Sequence, residues 1–159
     1  MISIDVLSDN NFWDKKIKRK KEFFNTLIKF FPKKYIFIKK KVNLTILLSK
    51  NQNIKKLNKK FRNKNKPTDI LSFPSEKKIN IKKNPYLGDM IISYELMNKP
   101  KFLSNLDFKK KVVKIFIHGF LHLFGYNHIK LKARFGYAIY LLMHGQKVAF
   151  NTSHNYNIL

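Results

Sequence analysis

Apolar and polar residues alternate at the start of the chain, where Ser3 and Asp5 separate Ile2, Ile4 and Val6. A period of two puts all three apolar side chains on one face and predicts a first strand. The period then lengthens. Trp13, Ile17, Phe24, Leu27, Ile28 and Phe31 recur at helical spacing until Pro32, with Asp9 or Asn10 placed to cap that helix. Alternation returns in Val42, Leu44, Ile46 and Leu48, a second strand. Ile54, Leu57 and Phe61 then form one stripe of a short helix that Asn51 is placed to cap. Pro67 interrupts that stripe, and Asp69 to Phe73 reads as a third strand ended by Pro74. Residues 75–87, with their Lys, Asn and Pro85, predict a loop. After Gly88 the run Met90 to Tyr94 is nearly all apolar, as in a strand buried on both faces. A longer helix is predicted from about Asp107 through Phe124, stopped by Gly125, and another from about Leu131 to Val148. Residues 150–159 are polar and predict a loose tail.

This order predicts one α+β domain over residues 1–149, a small mixed sheet with helices packed on it, with 150–159 as its tail. At 159 residues and 44% apolar composition the chain can bury a core, which excludes a disordered protein. It has no cysteine, so disulfides and thiolate metal sites are excluded, and any metal must sit on His, Asp, Glu or backbone oxygen. Met1 to Asn10 carries Asp5 and Asp9 rather than a basic and then apolar leader. The longest apolar runs, Ile115 to Tyr126 and Phe135 to Met143, fall short of the ~18–20 residues that cross a bilayer. A soluble cytoplasmic protein with no membrane partner is the expectation.

Charge changes that picture most. The chain carries 34 basic and 9 acidic residues, a formal net charge of +25. Such a surface attracts polyanions, nucleic acid first among them; a plainly solvated lysine surface is the alternative. Only Arg19, Arg62 and Arg134 among the basic residues are arginines.

The candidate chemistry lies in His118-Gly119-Phe120-Leu121-His122-Leu123-Phe124-Gly125-Tyr126-Asn127-His128. His118 and His122, four apart, share a helix face and can aim ring nitrogens at one ion. Gly125 allows a left-handed exit from the helix that would return His128 toward the pair. Three imidazoles leave the fourth tetrahedral position of a zinc ion open to water, the arrangement of catalytic sites, and lower that water's pKa toward ~7. One zinc per chain on His118, His122 and His128 is therefore expected, hydrolysing a phosphodiester or other acyl-type bond. The spacing also fits the metzincin protease motif except at Gly119, where a protease carries its general-base glutamate; a metalloprotease-like hydrolase is the weaker alternative.

The same run, together with Leu57-Asn58, Phe61-Arg62, Lys66-Pro67-Thr68-Asp69-Ile70-Leu71-Ser72-Phe73-Pro74 and Leu87-Gly88-Asp89-Met90-Ile91-Ile92-Ser93, resembles the YbeY family of bacterial endoribonucleases over about residues 40–129. The resemblance implies a metal-dependent hydrolase with a zincin-like three-histidine site on a helix and the turn after it. It implies cleavage of single-stranded RNA, maturation of the small-subunit ribosomal RNA 3′ end and ribosome quality control, with ribosomal RNA and the ribosome as partners. It assigns the metal to His118, His122 and His128 and a catalytic role to Arg62, whose guanidinium offers a phosphate a two-pronged fork that lysine lacks. The family usually has Asp where Asn127 stands, and Leu131 to Leu159, with no acidic residue, matches none of its pattern. These departures keep a second alternative open, a zinc-binding ribosome-assembly or RNA-binding factor with little catalysis.

Asp69 and Asp89 are candidates for hydrogen bonds behind the ligands, or for turn and cap duty. Phe23-Phe24, Phe30-Phe31 and Tyr35 alternate with lysines as base-stacking residues would, though their helical spacing favours core. Lys20-Lys21 and Lys109 to Lys111 read as solvated faces.

Overall fold

The computed structural model describes residues 1–31, 40–76, 80, 82–101 and 103–125. The predicted helix 131–148 and tail 150–159 lie outside them. In chain order the elements are β1 (Ile2–Ser8), α1 (Phe12–Lys16), α2 (Lys20–Ile28), β2 (Val42–Ser49), α3 (Asn51–Arg62), β3 (Ile70–Pro74), β4 (Tyr86–Ser93), α4 (Tyr94–Met97) and α5 (Asn105–Leu123).

The four strands form one mixed sheet in the order β1-β2-β4-β3. β1 and β4 both run parallel to β2, while β3 lies antiparallel to β4 at an edge. Helices make the parallel crossovers, and the 75–85 connection makes the antiparallel return. Alternation then decides the layers. Ile4, Leu44, Ile46, Ile70 and Ile92 face the larger core, with Trp13, Phe24 and the apolar stripe of α5. Leu71 and Ile91 point the other way, onto Ile54 and Leu57 of α3. The sheet is thus covered by α2 and α5 on one face and α3 on the other, as the apolar run of β4 predicts.

The helix predicted through Trp13 and Phe31 is instead two, because Ile17 is extended (φ −136°, ψ 95°). The break redirects α2 along β1, which among the described residues is an edge strand. There Asn25 accepts from the Ile4 N–H at 2.9 Å and donates to the Ile4 carbonyl at 2.9 Å. Those backbone groups would otherwise lack a strand partner. Periodicity missed the break because Trp13, Ile17 and Phe24 are buried on either side of it.

Three further boundaries differ. Asn51 does not cap α3; it is the first helical residue, and Glu95 of α4 accepts its N–H at 2.8 Å. A carboxylate from another element thus serves the helix N-terminus. β4 begins at Tyr86, inside the predicted loop, because Tyr86 pairs with Asn43 of β2 and Gly88 with Pro74 of β3. It ends at Ser93, and Tyr94 opens α4 instead of closing the strand. Lys111 is no solvated lysine: its ammonium donates to the Leu96 carbonyl at 2.8 Å and the Lys99 carbonyl at 2.9 Å, closing the end of α4.

Candidate metal and phosphate site

α5 begins two residues before the predicted start, where the Ser104 hydroxyl accepts from the Asp107 N–H at 3.0 Å. Phe108, Val112, Phe116 and Phe120 bury one stripe of the helix. His118 and His122 lie on a flank that is only half buried. Their Nε2 atoms are 3.1 Å apart, with the rings nearly perpendicular at 85°. Two nitrogens bound to one tetrahedral zinc at ~2.05 Å stand ~3.3 Å apart, so this pair fits one ion. Among the described residues no group of three or more His, Cys, Asp or Glu side chains is arranged to hold a metal. His128 and Asn127 lie outside those residues. Gly125 has φ +75° and its N–H reaches the His122 carbonyl at 3.0 Å, so the backbone does leave α5 in the left-handed turn.

Gly119 explains how closely the histidine helix approaches the sheet. A Cβ there would stand 2.2 Å from Ile70 Cδ1 and 3.0 Å from both Met90 Sδ and Ser72 Oγ. A side chain at this position, such as the glutamate of a metalloprotease, would have to displace the end of Ile70.

Arg62 arrives from the opposite layer. It ends α3, where Asn63 turns left-handed (φ 55°) and the Lys64 N–H bonds back to the Asn58 carbonyl at 3.2 Å. Asn58 is buried, and its amide donates to the Lys66 carbonyl at 2.7 Å. That bond folds the 63–69 segment back toward β3. Asn58 is a positioning residue that residue-type reasoning left unassigned; the signal was an amide beside the apolar stripe of α3.

The outcome is a cleft of about 480 Å³ at the edge strand, with Arg62 and Lys64 on one side and His118 and His122 on the other. Thr68, Asp69 and Ser72 line the wall between them. Asp69 Oδ1 accepts from the Thr68 hydroxyl at 3.1 Å and the Ile70 N–H at 2.9 Å, so its carboxylate also shapes the entry to β3. Asp89 is not a lining residue. It is exposed and accepts from the Tyr86 hydroxyl, whose pKa is pushed up by burial and then by this carboxylate.

A family model described as endoribonuclease YbeY matches residues 7–135. The chain belongs to the YbeY family. An endoribonuclease YbeY of Pelagibacter ubique is 74% identical over 132 residues, covering 83% of this chain and 86% of the relative. One of Ehrlichia ruminantium is 35% identical over 128 residues, covering 80% and 78%. The solution structure of TM1509 from Thermotoga maritima superposes with a TM-score of 0.52 at 25% identity, covering 89% of this chain and 85% of that one. The YbeY match spans all the sequence blocks that line the cleft. Among the described residues, no helix is long and apolar enough to cross a membrane.

Proposed function

We propose that this chain is a single-strand-specific, metal-dependent endoribonuclease that matures the 3′ end of small-subunit ribosomal RNA and acts in ribosome quality control in the cytoplasm. Cleavage of RNA follows from membership of the endoribonuclease YbeY family. Strand preference, the ribosomal substrate and the metal are the finer reading. One observation carries it: a guanidinium from α3 and two imidazoles from α5, held on opposite faces of the sheet, line the same cleft. The net charge of +25 supports an RNA partner.

In this reading His118, His122 and His128 hold one zinc ion, which when bound supplies a Lewis acid to the scissile phosphodiester and lowers the pKa of water. Arg62 binds a non-bridging phosphate oxygen with its fork and stabilises charge that grows there as the P–O bond breaks. Lys64, on the same side of the cleft as Arg62, adds a second cation. The attacking oxygen is either water or the adjacent 2′-hydroxyl. The second route leaves a 2′,3′-cyclic phosphate and the first does not, so the product ends distinguish them.

The test is cleavage of a labelled single-stranded RNA by wild type and His122→Ala, prepared identically, with and without chelator. Cleavage by wild type that both the substitution and the chelator abolish supports the reading. RNA that is bound but left whole turns it toward an assembly factor.

A further inference from the structure

The apolar stripe of α3 loses its cover as the helix runs toward the cleft. Ile54 is fully buried, Leu57 is half buried, and Phe61 is 56% exposed. A large ring left in water calls for an explanation when its surroundings are charged. Lys59 and Lys60 precede it, Arg62 follows it, and Lys64 stands just beyond, all of them exposed. Phe61 touches the half-buried Phe73 of β3, with ring centroids 5.1 Å apart and planes at 66°, which steadies the ring at the sheet edge. The Lys60 ammonium lies 5.3 Å from its centroid. Of the other exposed rings among the described residues, Phe12 is stacked on Tyr94, and Phe30 does not adjoin the cleft in sequence.

We infer that Phe61, braced by Phe73, is a stacking platform for one unpaired base of the RNA strand whose phosphate Arg62 holds. The inference rests on the endoribonuclease reading and deepens it, since it names a residue that selects single strands. An exposed apolar ring with one ammonium over its face and further basic residues beside it along the helix matches a nucleotide, which offers a π-face and a phosphate a few ångströms apart. Arg62 is the next residue, about 100° further round α3, so the ring lies beside the cleft rather than in its lining and serves a neighbouring nucleotide of the strand. The incoming base takes the ring face that Lys60 covers, and the ammonium moves to the flanking phosphate. A base locked in a duplex offers no such face, so the platform discriminates against paired RNA without reading sequence.

The experiment measures KM and kcat for a labelled single-stranded oligoribonucleotide with wild type, Phe61→Ala and Phe61→Trp. The same oligonucleotide is then scanned with a single abasic nucleotide. Phe61→Ala should raise KM about 5- to 150-fold with kcat unchanged, the range for one lost stacked base. Phe61→Trp should restore it. Wild type should lose a similar factor at one abasic position, and Phe61→Ala should be indifferent to that position. An unchanged KM in Phe61→Ala overturns the inference, as does equal sensitivity of both proteins to every abasic position; in either case wild-type cleavage leaves the endoribonuclease reading standing. Wild type that neither binds nor cuts RNA overturns both.

Discussion

The Ser72 hydroxyl donates to the backbone carbonyl of Gly119 at 3.0 Å, joining the edge strand to the helix between its two histidines. Strand β3 therefore sets the position of His118 and His122 relative to the cleft wall. Ser72→Ala removes the donor and should cost about 1 kcal/mol of stability, the usual net worth of such a bond. Urea unfolding at fixed m-value measures it; an unchanged midpoint would show that the bond contributes nothing.

Gly119→Ala should destabilise the protein although alanine is the better helix former. The added methyl meets Ile70 Cδ1 at 2.2 Å inside a packed layer, and overpacking of this kind costs about 1–3 kcal/mol. Ile70→Val deletes the offending atom. The double variant Gly119→Ala/Ile70→Val should be more stable than the sum of the two single changes predicts, and additive melting data would refute the contact.

Removing the Arg62 side chain should slow cleavage while leaving metal content intact. Arg62 is exposed, so Arg62→Ala should fold normally and lose about 100-fold in kcat, as for loss of one donor to a developing oxyanion. Arg62→Lys should recover little, since an ammonium lacks the planar fork. Loss of metal from Arg62→Ala would remove the residue from the phosphate-binding role.

If the proposed zinc site is right, His118→Ala and His122→Ala should each strip the metal and abolish cleavage together, because Nε2 atoms 3.1 Å apart are spaced to chelate one ion. Elemental analysis of the purified proteins should fall from about one zinc per chain to a small fraction of that. Full zinc occupancy in either variant would move the metal elsewhere.

Asp9 should make stability pH-dependent in one direction. Burial raises its pKa, but hydrogen bonds from Ser49, Asn10 and Asn53, with Lys50 nearby, outweigh that and hold the carboxyl below its ordinary 3.8. A folded-state value that is depressed gives stability present above the unfolded value and lost as pH falls through the folded one. Asp9→Asn should therefore melt below wild type at neutral pH, with the gap closing as pH falls through the carboxyl's lowered folded-state pKa. A gap that persists in acid would assign the effect to packing.

Much of this was legible along the chain. The alternation in Ile2-Ile4-Val6 and Val42-Leu44-Ile46-Leu48 marks β1 and β2, because a strand's faces are set by neighbours two apart. His118 and His122 converge for a similar local reason, one helical turn between them. Gly125 in its left-handed turn is equally local. What escaped the sequence depends on partners far away in it. The break at Ile17 follows from Asn25 reaching Ile4, the start of α3 from Glu95, and the extent of β4 from its pairing with Asn43 and Pro74. Arg62 meets the histidines only because α3 and α5 lie on opposite faces of the sheet and both overhang its edge strand. Residue type and spacing determined which groups could do chemistry here; which of them share a cleft was decided by the order β1-β2-β4-β3, since strand order, a sum of long-range pairings, has no periodic trace along the chain.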